Sequence, residues 1–357
     1  MEDFNYKWIL LFLMFWMRSH FRNSIIFSVI CLIAAFIYGY STGGWETAFS
    51  VFFIVLTLGA LETSISFDNA IVNTTVLKKM DAKRRHRFLT RGILIAVVGM
   101  RIFFPLLIVS IFGHVNPVEA LRLALRDSNQ YALILADAHI PILGFGGAFL
   151  MMVGLKFFFD EKKHTHWISW IEKYLQKMHK MQAIEAAIVM ILLYIFWQFV
   201  APEYFTDFFV SGILGLIVFI LVDGLSTLLE SNQASGLIKS SMMWFLYLEL
   251  LDASFSLDGV IGAFALSKNL FVIALWLGIW AYFVRSMTMY LYEKGTLNMY
   301  KYLENGAFWA ICSLALLMFL GTIIHIPEVF TGLIGIVVIG FSIWSSVREK
   351  GKVDPTL

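Results

Sequence analysis

Two short stretches of the chain place pairs of acids inside apolar sequence. The first reads ETSISFD at 62–68 and the second reads DASFSLD at 252–258. In both, the acids are six residues apart, with serines at the third and fifth positions. A carboxylate at the centre of a lipid bilayer costs about 2.5–3.5 kcal/mol even on the lenient insertion scale. Four such groups at one depth would therefore need a cation, protons or arginines to balance them.

The ligand chemistry of these stretches favours a hard or borderline divalent cation. Carboxylate, amide and hydroxyl oxygens suit Mn²⁺, Ca²⁺ or Mg²⁺. Glu249 adds a fifth acid on the segment that carries the second stretch. The two cysteines, Cys31 and Cys312, lie in apolar runs, and histidine is scarce in the apolar segments. Zinc and copper are therefore disfavoured.

The six-residue spacing restricts how the acids can meet. On a straight α-helix such positions face directions about 120° apart and are separated by about 9 Å along the axis. Either the helix breaks near the serines, or each acid pairs with a partner from the other stretch. Ser66 and Ser256 are predicted to be supporting residues of the site. Asn69 and Gly259, directly after the second acids, fit a break, and the freed carbonyl groups would then serve as further ligands.

The composition indicates a chain that uses lipid as its solvent. Of 357 residues, 59% are hydrophobic and 15% are charged, against about 25% charged in an average soluble domain. A net charge of +2 argues against a nucleic-acid partner. We predict an all-α, polytopic membrane helix bundle of about ten spans. The apolar runs lie near 24–41, 47–72, 88–113, 138–159, 183–201, 206–229, 242–266, 270–292, 306–324 and 328–346.

The distribution of basic residues predicts the orientation. With the N-terminus in the cytoplasm, most of the 27 Lys and Arg residues fall in cytoplasmic segments, above all around 78–91 and 160–182. The predicted external loops hold only Arg122, Arg126 and Lys268. We interpret the two basic loops as determinants of topology, and we place both termini in the cytoplasm.

The predicted organisation has three parts. Residues 1–23 form a cytoplasmic or interfacial segment, in which Trp8–Met17 is too short to span and is interpreted as an interfacial helix. Residues 24–346 form the transmembrane domain, and 347–357 form a cytoplasmic tail.

The two acidic stretches belong to an internal repeat. Residues 62–71 align with 252–261, acid on acid and serine on serine. Their helices are the second and the seventh, and this odd step makes them run in opposite directions. Such inverted-topology repeats are characteristic of transporters. We place repeat 1 at about 47–160 and repeat 2 at about 242–324, with both acidic stretches near mid-membrane.

The spans that follow each acidic stretch also correspond. Each next span contains one arginine, Arg101 or Arg285, which we expect to balance and orient the acids. The span after that begins with polar residues, Asp137 and His139 in one repeat and Glu304 in the other. These three are either functional or simply solvated helix ends.

At these motifs the chain resembles the TerC family of integral membrane proteins, which is named for tellurium resistance. The resemblance covers most of residues 50–346 and is most specific at the SxSxDN and SxSxDG acids. It rests on LETSISFDNAIVN at 61–73, GILIAVVGMRIFFP at 92–105, LADAHIPILGFGGAFLMMV at 135–153, YLELLDASFSLDGVIGAF at 247–264 and YLENGAFWAI at 302–311.

This resemblance implies a bacterial inner-membrane protein of a superfamily that includes exporters, with members associated with manganese efflux. Relatives often carry a histidine-bearing LEHGAH-like stretch where this chain has LENGAF at 303–308. Tellurite is an oxyanion that an acidic site would repel, so cation handling is preferred. The metal ligands implied residue by residue are Glu62, Asp68, Asn69, Asp252 and Asp258.

The leading functional hypothesis is a secondary transporter that exports a divalent cation, Mn²⁺ being favoured, by alternating access around a central carboxylate site. Protons could serve as the counter-ion, because buried carboxylates can exchange protons for metal. The chain is then not an enzyme, and its partners are the metal ion as substrate and the lipid bilayer. The ion, the direction of transport, the coupling ion and the oligomeric state stay open.

Two alternatives belong to other classes. One is a membrane scaffold or accessory protein of a metal or tellurite stress response, in which acids and arginines merely hold helices together. The other is an intramembrane aspartyl protease, which needs two membrane aspartates. Here each half has two acids, and the second aspartate precedes glycine (DG, 258–259) instead of ending a GxGD pattern.

Overall fold

The structure is a computed structural model that describes residues 3–78, 104–112, 115–161, 163–181, 183–231, 269–324 and 326–353. Every regular element within these ranges is helical, which confirms the all-α prediction. Short 3₁₀ turns cover Met178–Lys180 and Pro202–Tyr204. The helices are α1 (Asp3–Ile65), α2 (Phe67–Lys78), α3 (Phe104–Phe112), α4 (Pro117–Arg126), α5 (Ser128–Asp137), α6 (His139–Phe159), α7 (Ser169–Lys177), α8 (Ile184–Trp197), α9 (Phe205–Ser231), α10 (Leu270–Glu293), α11 (Thr296–Met299), α12 (Leu303–Gly321) and α13 (Glu328–Val353).

Apolar helices identify the chain as a membrane protein. In the described part of the chain, five stretches are long and apolar enough to cross a bilayer. Large apolar side chains such as Phe53, Leu221 and Phe341 point outward from these and neighbouring helices, as on a surface that faces lipid. The five stretches are His20–Ala60, His139–Phe159, Pro202–Gly224, Phe271–Glu293 and Leu303–Gly321.

The first of these stretches is two helices that fold back on each other. Gly43 and Gly44 leave helical geometry inside α1, and Gly44 has a φ of 72°, a conformation that favours glycine. The rings of Phe36 and Phe49 are 5.4 Å apart, although thirteen residues of straight helix would separate them by about 20 Å. The chain therefore reverses between the predicted spans 24–41 and 47–72. Before this turn, α1 is continuous from Asp3.

The helix ends gather at two opposite ends of the bundle. At one, His20 contacts Glu293 and Lys301 contacts Glu349, both at 2.7 Å. This end also carries the chain around 160–180, and we call it the basic end. The opposite end has the turn of α1, the loop between α8 and α9, and the start of α10, where Asn269 donates a hydrogen bond to Tyr38.

Helix α6 is the centre of the larger core, because nearly all of its residues are buried. It packs against α9, which runs parallel to it, and against α12, which runs antiparallel to it. Phe149 contacts Phe219 on α9, and Phe157 stacks on Phe308 of α12. A helix that is apolar on all sides is expected in such a position.

A second apolar cluster joins α1 to α10 and to α3–α5 at the opposite end. The sequence predicts only an external loop around 113–137, but the chain forms two short helices there. Asn116 caps α4 by accepting from the amide of Glu119, and Asp127 caps α5 by accepting from the amide of Gln130. Both side chains are strong N-cap residues, so the local signal was present.

The reversal of α1 gives a test of the fold. A Cβ at Gly39 would lie 2.7 Å from both Ala48 Cα and the Thr47 carbonyl oxygen, whereas a Cβ at Gly340 on α13 meets nothing within 4 Å. We expect Gly39→Ala to lower the free energy of unfolding by about 1–3 kcal/mol through overpacking. Gly340→Ala should be neutral or stabilising by up to about 1 kcal/mol. Thermal unfolding in detergent measures both, and equal midpoints would contradict the packed hairpin.

Candidate functional site

The helix that carries the first acidic stretch breaks at Ser66. Helix α1 ends at Ile65 and α2 begins at Phe67, so Ser66 is the single non-helical residue between them. Ser66 is buried and accepts a hydrogen bond from the indole Nε1 of Trp280 on α10. The sequence leaves open whether the helix breaks near these serines or the acids pair between the two stretches, and the structure has a break at Ser66.

The break lies near mid-depth in the bundle. Trp280 is ten residues after the start of α10 and thirteen before its end, which corresponds to about 15 Å and about 20 Å of helix. Eight residues, or about two turns, further along, Thr74 Oγ1 on α2 donates to the Thr288 carbonyl on α10. Helix α2 therefore follows α10 from the middle of the bundle towards the basic end.

Polar side chains lie on both sides of the break, and two of them share one face of α2. Glu62, one turn before the break, is half-buried. Asn69 is 4% exposed, and Asn73, four residues later, projects from the same side of the helix. The Asn73 Oδ1 atom is buried and, among the described residues, has no hydrogen-bond partner. Asn73 is the last residue of the motif LETSISFDNAIVN at 61–73, but the sequence did not predict it as a site residue.

Only part of the predicted site can be located. Asp68 is the second residue of α2. Arg285 is half-buried on α10, between Trp280 and Thr288 and hence beside α2. Five of the predicted site residues lie outside the described residues: Arg101, Glu249, Asp252, Ser256 and Asp258. Within the described ranges, no three Asp, Glu, His or Cys side chains come together as a metal cluster.

The polar residues at the starts of α6 and α12 are far apart in the bundle. Asp137 is exposed, and His139 is half-buried at the opposite end. Glu304 is half-buried at the basic end, within electrostatic reach of Lys78 on α2 and Lys163. These three residues therefore do not form one site.

Lys156 on α6 and Asp223 on α9 form an ion pair between these two helices. This pair is partly exposed, so it contributes little to stability.

A second polar centre lies at the basic end, around Glu172 on α7. Its side chain is 0% exposed, although it belongs to a short, polar helix. A buried carboxylate is tolerated only when hydrogen-bonded and paired. Five donors surround it: Lys163 Nζ at 2.7 Å, Asn305 Nδ2 at 2.6 Å, Trp309 Nε1 at 3.0 Å, and the backbone amides of Trp167 at 3.2 Å and Ile168 at 3.1 Å.

Lys163 is buried with its partner. Its side chain is 6% exposed, and its Nζ lies 4.4 Å from the ring centroids of both Phe157 and Phe158. Aromatic faces attract a desolvated cation and partly replace its water. Lys163 was predicted only as a determinant of topology, but it also forms a buried ion pair.

The charge state of this pair follows from its surroundings. Burial alone would raise the pKa of the Glu172 carboxyl, but the donors Lys163, Trp309 and Ile168 outweigh burial and hold that pKa below its usual value. Burial lowers the pKa of the Lys163 ammonium, and Glu172 offsets only part of this shift. We assign an ionised carboxylate, because all five contacts to it are donors.

Gln176 extends this centre along the loop before α7. Its Nε2 donates to the carbonyl groups of Asp160, Glu161 and Lys163. Asn305 donates to the Thr165 carbonyl as well as to Glu172. The loop and α7 are thereby fixed against the first turns of α12.

Little in the sequence indicates that Glu172 is buried. Glu172 lies in SWIEKYLQK, a segment whose acid and lysines are typical of a solvated helix. The structure reverses the usual burial of such residues: Trp170 and Tyr174, which flank the buried Glu172, are 80% and 66% exposed. The motif YLENGAFWAI supplies Asn305 and Trp309, so part of its role is to hold Glu172.

One family model matches this chain. It is described as a protein of unknown function (DUF475) and covers residues 67–352, from the first residue of α2 into the last turn of α13. The range includes Asp68, Asn69 and Asn73 on α2, the polar centre around Glu172 and the second acidic stretch, whereas Glu62 and Ser66 precede it. Comparison with curated proteins and with solved structures gave no match.

The buried ion pair can be tested by removing its charges in turn. Glu172→Gln leaves Lys163 buried without a counter-charge, so we expect a loss of about 3–5 kcal/mol in the free energy of unfolding. Adding Lys163→Met to that variant should restore part of the loss, because no buried charge is left. The exposed acid in the same loop, Glu161, supplies the control Glu161→Gln. Thermal unfolding that does not distinguish Glu172→Gln from this control would refute the assignment.

Proposed function

The chain belongs to the DUF475 family, and we propose that it is a secondary transporter of a divalent metal cation. Mn²⁺ efflux by alternating access is the favoured form. The observation that carries the proposal is the helix break at Ser66, at mid-depth in an apolar bundle and with Glu62, Asp68 and Asn69 on either side. Discontinuous helices at this depth are where transporters bind substrate and coupling ions.

The chemistry of the break suits a cation. A helix leaves its last four carbonyl groups without partners in the helix, so the end of α1 offers oxygen atoms next to Glu62. The partial negative charge of a helix C-terminus adds to this attraction. With the carboxylate of Asp68 and the amide oxygen of Asn69, the proposed ligands are all oxygen atoms, which favours Mn²⁺, Mg²⁺ or Ca²⁺.

Asn73 extends the proposed site towards the basic end. It lies one turn, or about 6 Å, beyond Asn69 on the same side of α2. Its buried Oδ1, which no donor in the described part of the chain satisfies, is the kind of atom that a cation or its hydration water would stabilise. We propose that the ion passes this oxygen between the central acids and the basic end.

The path of the chain supports ten spans. Eight segments of the described residues run between the two ends of the bundle: 20–42, 45–78, 139–159, 184–197, 205–231, 270–293, 303–321 and 328–353. The chain leaves the basic end after Lys78 and is next described from Phe104 onward, in the helices α3–α5 that pack at the opposite end. It does the same between Ser231 and Asn269. We propose that the apolar runs 88–113 and 242–266 make these two crossings.

The contacts of α6 and α12 support the inverted repeat. The sequence pairs Asp137 with Glu304, an offset of 167 positions, which makes Gly154 equivalent to Gly321. Gly154 on α6 packs against Phe308 and Cys312 on α12. Gly321 on α12 packs against Leu143 on α6, and at the same offset the position equivalent to Leu143 is 310, midway between Phe308 and Cys312. The contact between these antiparallel helices is therefore nearly unchanged when the two repeats are exchanged.

The remaining parts of the proposal follow from charge and resemblance. Lys173, Lys294 and Lys301 lie at the basic end, whereas Arg122 and Arg126 lie at the opposite end. By the positive-inside rule we propose that the basic end, with both termini, is cytoplasmic in a bacterial inner membrane. The same proposal includes coupling to protons, a relation to TerC proteins and the absence of enzymatic activity.

A scaffold or accessory role is the second candidate. Arg285 is half-buried beside α2, where it could neutralise an acid of the first stretch without any metal. In that case the acids and the arginine would only hold α2 against α10.

Transport by vesicles tests the first proposal. Asp68→Asn and Asp258→Asn remove one charge each from the central site, and we expect Mn²⁺ transport to fall at least tenfold while insertion is unchanged. A difference of about 1.4 kcal/mol in ion binding is enough for that factor. Glu203→Gln removes an exposed acid at the opposite end and is the control. Wild-type rates in both aspartate variants would exclude the proposed site.

Thermal unfolding with added metal separates the transporter from the scaffold. A bound ion raises the midpoint by mass action, so Mn²⁺ should stabilise the wild type and a scaffold should not respond. Asn73→Leu should leave the metal-free midpoint unchanged or higher, because a buried unsatisfied acceptor is removed. It should also weaken the response to Mn²⁺. Asn116→Ala, at an exposed cap, is the control, and an unchanged Mn²⁺ response in Asn73→Leu would remove Asn73 from the ion path.

A further inference from the structure

Helix α7 presents an exposed stripe that combines aromatic and basic side chains. Trp170, Lys173, Tyr174 and Lys177 have the spacing i, i+3, i+4 and i+7, so they lie on one side of the helix. All four are exposed. Exposed aromatic residues with lysines are typical of the membrane–water interface, where the rings lie at headgroup level and the ammonium groups reach the phosphates.

The other side of α7 is fixed to the bundle, which gives the stripe a defined direction. Glu172 is held by its five donors, and Gln176 binds three carbonyl groups of the preceding loop. Trp167 Nε1 also donates to Ser345 on α13. The stripe therefore cannot turn towards the core without breaking the buried ion pair.

The depth of α7 agrees with a headgroup position. Glu172 accepts hydrogen bonds from Asn305, in the first turn of α12, and from Trp309. Trp309 lies six residues, or about 9 Å, from the start of that helix. Side chains in helices lean towards the N-terminus, so the indole of Trp309 reaches back towards the basic end. Helix α7 thus lies where α12 leaves the hydrocarbon.

The charge of the segment selects the kind of lipid. Between residues 169 and 181 the only acid is Glu172, which is buried and paired. The exposed charges are those of Lys173, Lys177 and Lys180. Such a face attracts anionic headgroups, with about 1 kcal/mol for each lysine near the surface.

We propose that α7 is an interfacial helix that docks on anionic phospholipid at the basic end, with Trp170 and Tyr174 inserted between headgroups and Lys173 and Lys177 on the phosphates. The buried Glu172–Lys163 pair sets its orientation. The proposal concerns a surface remote from the helix break, and it stands whether or not the chain transports an ion.

The test is a lipid titration of the purified full-length chain in neutral detergent, with the thermal midpoint as readout. Phosphatidylglycerol should raise the midpoint by mass action, and phosphatidylcholine should do so much less. The double variant Lys173→Gln/Lys177→Gln should need about thirtyfold more phosphatidylglycerol for the same rise in midpoint, because it loses two lysines that contribute about 1 kcal/mol each. Raising the salt concentration should reduce the wild-type response.

Two further variants make the result specific. Trp170→Ala/Tyr174→Ala should also weaken the response, because the inserted rings are lost. Arg122→Gln/Arg126→Gln, on exposed residues at the opposite end, should behave like the wild type. Soluble glycerol phosphate should have no effect; an equal rise would mean a free-anion site and would overturn lipid docking. A wild-type titration in either α7 variant, or an equal loss in the arginine control, would also overturn it.

Discussion

A polar group inside an apolar helix bundle must find its partner within the protein, because the surrounding lipid offers no hydrogen bonds. This constraint acts at two places in the described structure. At mid-depth the chain interrupts a helix at Ser66, and Trp280 supplies the donor for its hydroxyl. At the basic end the chain buries the carboxylate of Glu172 and gives it five donors. The helices α10 and α12 supply the partners, so their packing decides whether either arrangement is tolerated.

The two centres differ in how completely they are satisfied. Around Glu172 each carboxylate oxygen has at least two donors, which describes a closed structural centre. Around α2 the buried Asn73 Oδ1 has no partner in the part of the chain that the structure describes. A closed centre fixes geometry, whereas an open oxygen-rich one can accept a ligand. This contrast is the reason that we propose ion binding at the break and a positioning role at the basic end.

The basic end also connects the two centres. Helix α2 runs from the break to Lys78, within electrostatic reach of Glu304 at the start of α12. The same helix α12 holds Glu172 through Asn305 and Trp309. A movement of α2 relative to α12 would therefore act on an end of the bundle that is braced by a buried ion pair. Alternating access in such a protein would use the opposite face of α2, against α10, or would move α2 together with the braced end.

The sequence by itself determined the membrane class, the all-α fold, the positions of most long helices and the reversal between 41 and 47, and it gave a break near the serines as one of two alternatives. These features depend on composition, on runs of apolar residues and on local breakers such as Gly43 and Gly44, all of which are readable within a short window. The short helices α4 and α5 and the role of Lys163 were missed, because a polar, capped segment is hard to distinguish from a loop.

Only the tertiary structure decided which polar groups meet. Glu172 reaches Asn305 across 133 positions, and Trp280 reaches Ser66 across 214. No local pattern encodes such a contact, since it depends on which faces of α6, α10 and α12 pack together. The burial of Glu172 inside a helix with exposed aromatic residues has the same origin: the free energy of its five hydrogen bonds outweighs the local preference of an acid for water.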